Sequence, residues 1–494
     1  MSDPSTTSPP AETPPPPPWR QRLGLVLGPA LVLIMIWTGP PGEVPLPAWQ
    51  VAGLTALMAT WWVTEAVPIP VTALLPVALL PLLGVSDIAE AAAPYANPLI
   101  FLFLGGFVIA LGLQRWNLHK RMALWILGAT GQRLDQLVGG FMAATAGLSM
   151  WVSNTATAAL MLPIGISVLV LLEDQGIAEI EGRNFTVALL LGIAFAANIG
   201  GMATLIGTPP NALLAGYLND HHDMNVGFVQ WMAMGLPVSL LLLGICWWVL
   251  CRRAFPLARR RVEGIDSLIR HQHEALGPVS GPERRVAVVF AAVALAWLTR
   301  PLLDKAIPAL SLTDPGIAIL GALALFLIPA GGGRATNLLD WEATQHLPWG
   351  VLVLVGGGLS LGTAIGSSGL SETVAVALGG LAGFPVSIVV LMVALSAMLL
   401  SHVTSNTATA ATLLPLAAAL ALTLGQHPVL LTVPVALAAS CAFMLPVATP
   451  PNAIVFGSGR ITVPDMVHAG WRLSLLSLVV VTVAVLVLAE WILG

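Results

Sequence analysis

The stretch that decides the fold is SNTATAA, which occupies residues 153–159 and recurs without change at residues 405–411. A Gly-Gly pair keeps the same spacing of 252 residues, at 105–106 and 357–358. Seven identical residues at a constant spacing are unlike a chance match. They indicate that the chain contains two copies of one structural unit.

The composition places both copies in a lipid bilayer. Of the 494 residues, 57% are hydrophobic and only 9% are charged, too few charges to cover a water-soluble domain. Apolar runs near 20 residues recur along the chain, and helices of that length cross about 30 Å of hydrocarbon. The runs lack the alternation of a membrane barrel. We therefore predict an all-α membrane protein, and nothing favours a nucleic-acid partner.

Eleven apolar stretches are predicted to cross the bilayer as helices. They are 23–38, 47–63, 69–85, 99–114, 185–216, 231–250, 286–299, 315–330, 349–366, 431–457 and 470–492. Two further stretches, 136–172 and 383–424, are interrupted in their middle. We interpret each as a re-entrant hairpin of two half-length helices, which a membrane tolerates where protein or a water-filled cavity surrounds it.

The positive charges support this topology. With the N-terminus in the cytoplasm and both hairpins non-crossing, 18 of the 20 Lys and Arg residues are cytoplasmic, and Arg300 and Lys305 lie outside. This asymmetry follows the positive-inside rule. We expect a multi-pass protein of a bacterial-type inner (plasma) membrane with its C-terminus outside. The hairpins then open to opposite sides, so the repeats are inverted.

A second motif, TPPNA, recurs at 208–212 and 449–453. Its prolines remove backbone donors and should break the spans that contain them, with Thr208 and Thr449 capping the new half-helices. The Ser-Asn-Thr triplets suit the hairpin tips, because their side chains satisfy unpaired groups at helix ends. A single triplet of this kind in a membrane helix more often serves packing and hydrogen bonding between helices. Because the triplet and the TPPNA motif each occur twice, we predict four helix breaks that converge on one site.

Charge is missing where the breaks are predicted. No Asp, Glu, Lys or Arg occurs from Gln136 to Leu172 or from Thr373 to Gly459. Helix N-termini suit an anion, and hydroxyl and carbonyl oxygens suit a hard cation. Bound cations are therefore expected to complete an anion site. The lack of an intramembrane acid favours Na⁺ over protons as the coupling ion.

Two ionisable residues near the predicted site have two possible roles each. Glu65 ends a span on the cytoplasmic side, where a structural cap or interface role is favoured over transport of an ion. His402 precedes the second triplet by one turn, where neutral packing or support of a ligand is favoured over pH sensing.

The chain resembles the divalent anion:sodium symporters, which carry di- and tricarboxylates. The resemblance covers nearly the whole chain after the N-terminal tail. It rests on Trp-Trp-x-Thr-Glu-Ala-x-Pro-x-Pro-x-Thr-Ala-Leu-Leu-Pro at 61–76, both Ser-Asn-Thr triplets and both Thr-Pro-Pro-Asn motifs. It implies a homodimer in which a transport domain moves across the membrane against a scaffold, as an elevator.

On that basis the chain divides into six segments. These are a disordered cytoplasmic tail (1–20), a first scaffold segment (21–133), a first transport-domain segment (134–251), a basic cytoplasmic loop (252–285), a second scaffold segment (286–380) and a second transport-domain segment (381–494).

The resemblance also implies the site residues. The substrate contacts are Asn154, Thr155, Thr208, Pro209, Asn406, Thr407, Thr449 and Pro450. The first sodium site uses Ser149, Ser153, Asn154 and Gly207, and the second uses Ser401, Thr404, Asn406 and Ala448, several through backbone carbonyls.

The sequence therefore predicts a secondary active symporter that carries Na⁺ and C4-dicarboxylates such as succinate, malate or fumarate. The alternatives are a sodium-independent dicarboxylate exchanger, a carrier of another divalent anion such as sulfate, and a channel. An intramembrane enzyme is a remote alternative, because the uncharged regions offer only His402 and His427 as ordinary bases.

Overall fold

A computed structural model describes residues 19–174, 179–222, 224–307, 311–331, 334–378 and 383–493. Most of the predicted cytoplasmic tail, 1–20, lies outside these ranges. The first half contains α1 (Trp19–Thr38), α2 (Leu46–Thr64), α3 (Ile69–Thr72), α4 (Leu75–Leu82), α5 (Ile88–Ala92), α6 (Pro98–Arg115), α7 (Leu118–Gly128), α8 (Leu134–Ser149), α9 (Asn154–Asp174), α10 (Glu179–Gly201), α11 (Pro209–His221) and α12 (Phe228–Trp248).

The second half is organised in a similar way. It contains α13 (Ile265–Ala275), α14 (Gly281–Ala306), α15 (Asp314–Leu327), strands β1 (Pro329–Gly331) and β2 (Arg334–Asn337), α16 (Trp349–Ser367), α17 (Leu370–Leu378), α18 (Val386–Ser401), α19 (Asn406–Thr423), α20 (Val429–Ala439), α21 (Pro450–Phe456), α22 (Val463–Ala484) and α23 (Glu490–Leu493). The two strands form an antiparallel ribbon. Helix α10 is the most enclosed of the long apolar helices, and α8, α9 and α21 pack against it.

The predicted fold class, an all-helical membrane protein, is confirmed. Nine helices of the described residues are long and apolar enough to cross a membrane. The count of eleven crossings stays a prediction. The sequence missed α7 and α13, which have 11 residues each and include charged side chains, and it missed the short β ribbon.

The single helix predicted over 69–85 is wrong, because α3 and α4 are separated at Ala73 and Leu74. Pro76 has no amide hydrogen, and its ring would clash with the carbonyl of Thr72 in a continuous helix. Pro76 instead lies in the first turn of α4, where proline is tolerated.

Both interrupted stretches are helix pairs, as predicted. The first breaks between α8 and α9 at residues 150–153, and the second between α18 and α19 at residues 402–405. Half-length arms are wrong, however, since the four arms have 16 to 21 residues. Helices α9 and α19 are long enough to cross a membrane by length and composition alone. The Ala-rich and Leu-rich runs after each triplet carry no helix-ending residue except an internal proline, so the helices continue.

Both ends of the first pair lie beside α13. Gln132, just before α8, donates to Asp266 in the first turn of α13. Ser167, in the last part of α9, lies 3.5 Å from the amide of Gln272, near the other end of α13. Eleven helical residues span only about 16 Å. The start of α8 and the end of α9 therefore lie at the same face of the molecule.

The two TPPNA motifs break their spans, as predicted. Helix α10 ends at Gly201 and α11 begins at Pro209, while α20 ends at Ala439 and α21 begins at Pro450. The carbonyls freed by each break are bound by the asparagine of the motif. Asn211 Nδ2 donates to Gly201 O (3.1 Å) and Thr204 O (2.7 Å).

The second break repeats this arrangement. Asn452 Nδ2 donates to the carbonyls of Ala442 (3.3 Å) and Leu445 (3.0 Å). Both asparagines are fully buried. They hold the unwound segments together, since no water reaches the freed carbonyls there.

Each Gly-Gly pair allows two helices to approach closely. An added Cβ at Gly105 would lie 2.6 Å from the carbonyl carbon of Ala318 in α15, and one at Gly357 would lie 2.7 Å from Cβ of Ala73. Real Cβ atoms do not come this close to a neighbouring backbone. The first glycine of each pair is therefore required for packing of α6 on α15 and of α16 on the α3–α4 break.

Gly357→Ala is expected to destabilise the protein by about 1–3 kcal/mol, because the added methyl overpacks this contact. Gly366, in the same helix, is the matched control, since an added Cβ there meets nothing within 4 Å. Gly366→Ala should leave stability unchanged or raise it slightly through helix propensity. Thermal unfolding in detergent measures both. Equal melting temperatures for the two variants would contradict the packing role.

Asn211→Ala and Asn452→Ala are each expected to cost about 1–3 kcal/mol of stability, because buried carbonyls lose their donors. The exposed Asn225 supplies the control, and Asn225→Ala should change little. Thermal unfolding of the purified variants measures the difference. A melting temperature of Asn211→Ala equal to that of Asn225→Ala would rule out this role.

Candidate functional site

The four helix breaks surround one cavity of about 810 Å³. All eight residues that the sequence predicted as substrate contacts line it. They are Asn154, Thr155, Thr208, Pro209, Asn406, Thr407, Thr449 and Pro450. Helices α9, α11, α19 and α21 begin at this cavity. The N-terminal ends of all four helices direct partial positive charge toward the cavity, and those of α9 and α19, which have no proline in their first turn, also present amide hydrogens, an arrangement suited to an anion.

The first predicted sodium site is a cluster of oxygen atoms behind the tip of α8 and α9. Ser149 Oγ lies 2.6 Å from Asn154 Oδ1 and 2.8 Å from Ala197 O. A serine hydroxyl has one proton and satisfies only one of these acceptors. The same Asn154 atom position lies 3.1 Å from Ala197 O and 3.3 Å from Gly207 O. Four oxygens thus meet with too few protons between them.

A cation resolves this excess of acceptors, because hard cations bind hydroxyl, amide and carbonyl oxygens together. Reversing the Asn154 amide also resolves it, since Nδ2 would then donate to Ser149, Ala197 and Gly207. The amide therefore has one orientation that suits a bound cation and another that suits the site without one.

The second predicted sodium site has the same core. Ser401 Oγ lies 2.6 Å from Asn406 Oδ1 and 2.6 Å from Ala439 O. Again one hydroxyl proton faces two acceptors. The serine precedes the asparagine by five residues in both sites. The geometry therefore repeats with the sequence.

Five of the eight residues predicted for sodium line the cavity itself: Ser153, Asn154, Gly207, Asn406 and Ala448. Ser149 and Ser401 are fully buried behind the asparagines. Thr404 is placed differently. Its hydroxyl lies 2.8 Å from Thr409 Oγ1 and donates to Leu400 O, so it contacts neither Asn406 nor Ala439.

The predicted helix caps are confirmed in part. Thr449 accepts a hydrogen bond from Asn452 N, and Ser153 accepts one from Ala156 N at 3.3 Å. Thr208 makes no such bond, so its predicted capping role is wrong. The N–H of Asn211 bonds the backbone carbonyl of Thr208 instead.

Sequence reasoning missed three contributors to the site. The carbonyls of Ala197 and Ala439 belong to the ends of α10 and α20, and any residue type supplies a carbonyl, so the sequence held no signal. Asn198 lines the cavity and donates to Thr449 Oγ1 at 2.9 Å, which joins the two repeats. A lone asparagine in an apolar span was the available signal for it.

His402 is buried beside the second oxygen cluster. Its Nδ1 lies 2.7 Å from Met398 O, so this nitrogen carries the proton. Its Nε2 has no hydrogen-bond partner among the described residues. These contacts agree with the predicted role of a neutral imidazole that packs near the site or supports a ligand. That role stays a prediction.

The cavity is almost free of charge. Among its described lining residues, the ionisable side chains are Glu65 and His346. A divalent anion would therefore be held by amides, hydroxyls, helix ends and bound cations.

The two halves cover the site unequally. In α11, Ala212 is fully buried. Its counterpart in α21, Ala453, is exposed to the cavity, as is Pro450. One of the two broken spans is thus covered, and the other is open to solvent.

Known proteins resemble this chain over nearly its whole length. The sequence pattern described as the sodium:sulfate symporter transmembrane region matches residues 20–493. The sodium-dependent dicarboxylate transporter SdcS of Staphylococcus aureus, from strains USA300, MRSA252 and NCTC 8325 / PS 47, is 40% identical over 479 residues. The match covers 96% of this chain and 92% of SdcS.

Two solved structures share the fold at low sequence identity. The YdaH transporter of Alcanivorax borkumensis is 16% identical, with a TM-score of 0.56 over 93% of this chain and 98% of its own. MtrF of Neisseria gonorrhoeae, from a class of antimetabolite efflux pumps, is 15% identical, with a TM-score of 0.58 over 93% and 97%. With a family pattern that spans nearly its whole length and relatives of 40% identity, the chain belongs to the sodium:sulfate symporter family, the divalent anion:sodium symporters.

Proposed function

We propose that the protein is a secondary active transporter that carries C4-dicarboxylates such as succinate, malate or fumarate together with Na⁺. The observation that carries this proposal is the pair of matching oxygen clusters beside an uncharged cavity. Each cluster places a serine hydroxyl within 2.8 Å of a backbone carbonyl and of the side-chain amide of an asparagine. The name of SdcS, a sodium-dependent dicarboxylate transporter, supports the same substrates.

Sodium is the co-transported substrate in this proposal. The two asparagines connect cation and anion, because Asn154 and Asn406 line the cavity and also contact the clusters. A cation at each cluster would place positive charge directly behind the anion site. The dianion is then bound well only when Na⁺ is present, which couples their transport.

The topology in this proposal has re-entrant hairpins, eleven crossings and inverted repeats, with the N-terminus in the cytoplasm and the C-terminus outside. The 18-to-2 split of positive charges supports it. The position of α13 supports it too, because both ends of the first hairpin lie beside this short helix. The second arm, α9, then tilts or packs within protein rather than crossing.

The mobile unit in this proposal comprises segments 134–251 and 381–494, and it moves as an elevator in each protomer of a homodimer. Contacts within the described chain join these two segments. Arg183 pairs with Asp465 at 3.0 Å, Arg460 pairs with Glu173 at 2.5 Å, and Asn198 bonds Thr449. Both ion pairs and the hydrogen bond connect one repeat to the other, as a unit that moves together requires.

The conformation is open to the cytoplasm in the proposed orientation. Glu65, Gln114 and His346 all belong to predicted cytoplasmic ends and line the cavity. Helix α21 leads toward the cytoplasm and is uncovered, whereas α11 leads outward and is buried. The covered and open halves exchange when the substrate faces the other side.

Uptake of labelled succinate into proteoliposomes tests the function. With an inward Na⁺ gradient, uptake should exceed the level in choline, and unlabelled malate or fumarate should compete. Uptake that is unchanged in choline and requires internal dicarboxylate would identify an exchanger instead. Competition by sulfate and not by dicarboxylates would identify a sulfate carrier, and uptake without saturation or counterflow would indicate a channel.

Ser149→Ala is expected to raise the Na⁺ concentration for half-maximal uptake about tenfold, because a hydroxyl bound to a charged partner contributes roughly 1.5–3 kcal/mol. Thr157→Val is the matched control in the same hairpin. Thr157 Oγ1 is buried without a partner among the described residues, so its removal should leave the Na⁺ dependence unchanged. Succinate uptake is measured as a function of Na⁺ concentration for both variants. An equal Na⁺ dependence in the two variants would argue against the first predicted sodium site.

Ala453→Cys should react with a membrane-impermeant maleimide in inside-out vesicles, because this position faces the open cavity. Ala212→Cys, its counterpart in the other repeat, should be protected. The native Cys246, Cys251 and Cys441 are buried and should give little background. Protection of position 453 in inside-out vesicles, together with labelling of position 212 in right-side-out vesicles, would show that the outward-facing state prevails.

A further inference from the structure

Glu65 stands out at the mouth of the cavity because its position is unfavourable for a glutamate. It follows the last turn of α2 with φ 50° and ψ 40°, the left-handed region. Residues other than glycine and asparagine adopt this region at a cost of about 1 kcal/mol. The C-terminal end of a helix also disfavours a negative charge.

The contact that Glu65 gains does not compensate for these costs. Glu65 Oε2 lies 3.1 Å from Arg20 Nη2, and the two side chains are 39% and 40% exposed. Ion pairs this exposed contribute only about 0–1 kcal/mol. Glycine or asparagine would adopt this left-handed backbone conformation at a lower cost. Stability alone therefore does not explain a carboxylate at this position.

The packing of α1 on α2 nevertheless brings Arg20 beside Glu65. Helix α1 docks on α2 through two glycines, since an added Cβ at Gly28 would lie 2.8 Å from the side chains of Leu57 and Trp61. Trp61 Nε1 also donates to Gly24 O at 3.1 Å. The guanidinium of Arg20 does not line the cavity itself, but it is paired with Glu65, the carboxylate among the described lining residues.

We propose that Arg20 is a transient binding site for a substrate carboxylate on the cytoplasmic side, with Glu65 as its built-in competitor. This inference rests on the proposed function and extends it. A dicarboxylate that leaves the asparagine site exchanges one of its carboxylates for that of Glu65 on the guanidinium. Glu65 then returns to Arg20 and displaces the anion into the cytoplasm.

The competition makes the site weak, which release requires. An unpaired arginine at the mouth would hold the departing dianion, and an unpaired glutamate would repel it. Sites along a transport path must bind well enough to be entered and weakly enough to be left. A neutral Arg–Glu pair meets both conditions, because the anion gains a guanidinium only by displacing a carboxylate.

Transport from the cytoplasmic side tests the proposal with inside-out membrane vesicles. Arg20→Gln should raise the KM for succinate about threefold to fivefold, since an exposed charged contact contributes up to about 1 kcal/mol. Glu65→Gln should lower the KM by a similar factor, because Arg20 loses its competitor. In the Arg20→Gln background, Glu65→Gln should no longer lower the KM. Right-side-out vesicles should show an unchanged KM for all three.

The opposite signs separate this role from a structural one. If the pair only fastens α1 to α2, both variants remove the same contact and shift the KM in the same direction, which would overturn the proposal. Arg22→Gln removes an equal charge from the exposed face of α1 and is the control. If Arg22→Gln raises the KM as much as Arg20→Gln does, the effect comes from general surface charge. That result would also overturn the proposal.

Failure of this inference is distinguishable from failure of the proposed function. Sodium-dependent uptake of succinate by wild-type right-side-out vesicles establishes the function in the same preparation. If that uptake is present and Arg20→Gln leaves the cytoplasmic KM unchanged, only the role of Arg20 is wrong. If that uptake is absent, the proposed function itself is wrong.

Discussion

Unpaired backbone groups at helix breaks are the constraint on which the rest of this structure depends. In the interior of a membrane protein, a broken helix frees donors and carbonyls that no water reaches, and each must find a partner. Asn211 and Asn452 bind part of these carbonyls, which stabilises the breaks. The remaining groups, amide hydrogens facing the cavity and carbonyls behind it, are those that suit an anion and a cation. The proposed binding site is thus made from the backbone that the breaks leave free.

The two repeats share their chemistry but differ in their surroundings. Ser149 with Asn154 and Ser401 with Asn406 make the same contacts. Helix α11 is covered, however, while α21 is open to the cavity. In the proposed mechanism, the two halves exchange these surroundings when the site faces the other side of the membrane.

Much of this site was predictable because its residues are local in sequence. The triplets and the TPPNA motifs mark the breaks, and all eight predicted substrate contacts line one cavity. The carbonyls of Ala197 and Ala439 were not predictable, since backbone ligands leave no mark on residue type. The lengths of α9 and α19 and the gap between α3 and α4 also depend on packing. Arg20 and Glu65 pair across 45 residues through the docking of α1, which no motif records.

The central claim is that bound Na⁺ completes the site for a dianion, and equilibrium binding tests it most directly. Succinate binding to the purified protein would be measured by calorimetry across a series of Na⁺ concentrations at constant ionic strength, with choline as replacement. The account predicts no measurable binding in choline and an affinity that rises with Na⁺ toward second-order dependence, one ion for each cluster. Thermodynamic linkage requires succinate to strengthen Na⁺ binding equally. Succinate binding of equal affinity in choline and in Na⁺ would contradict the account.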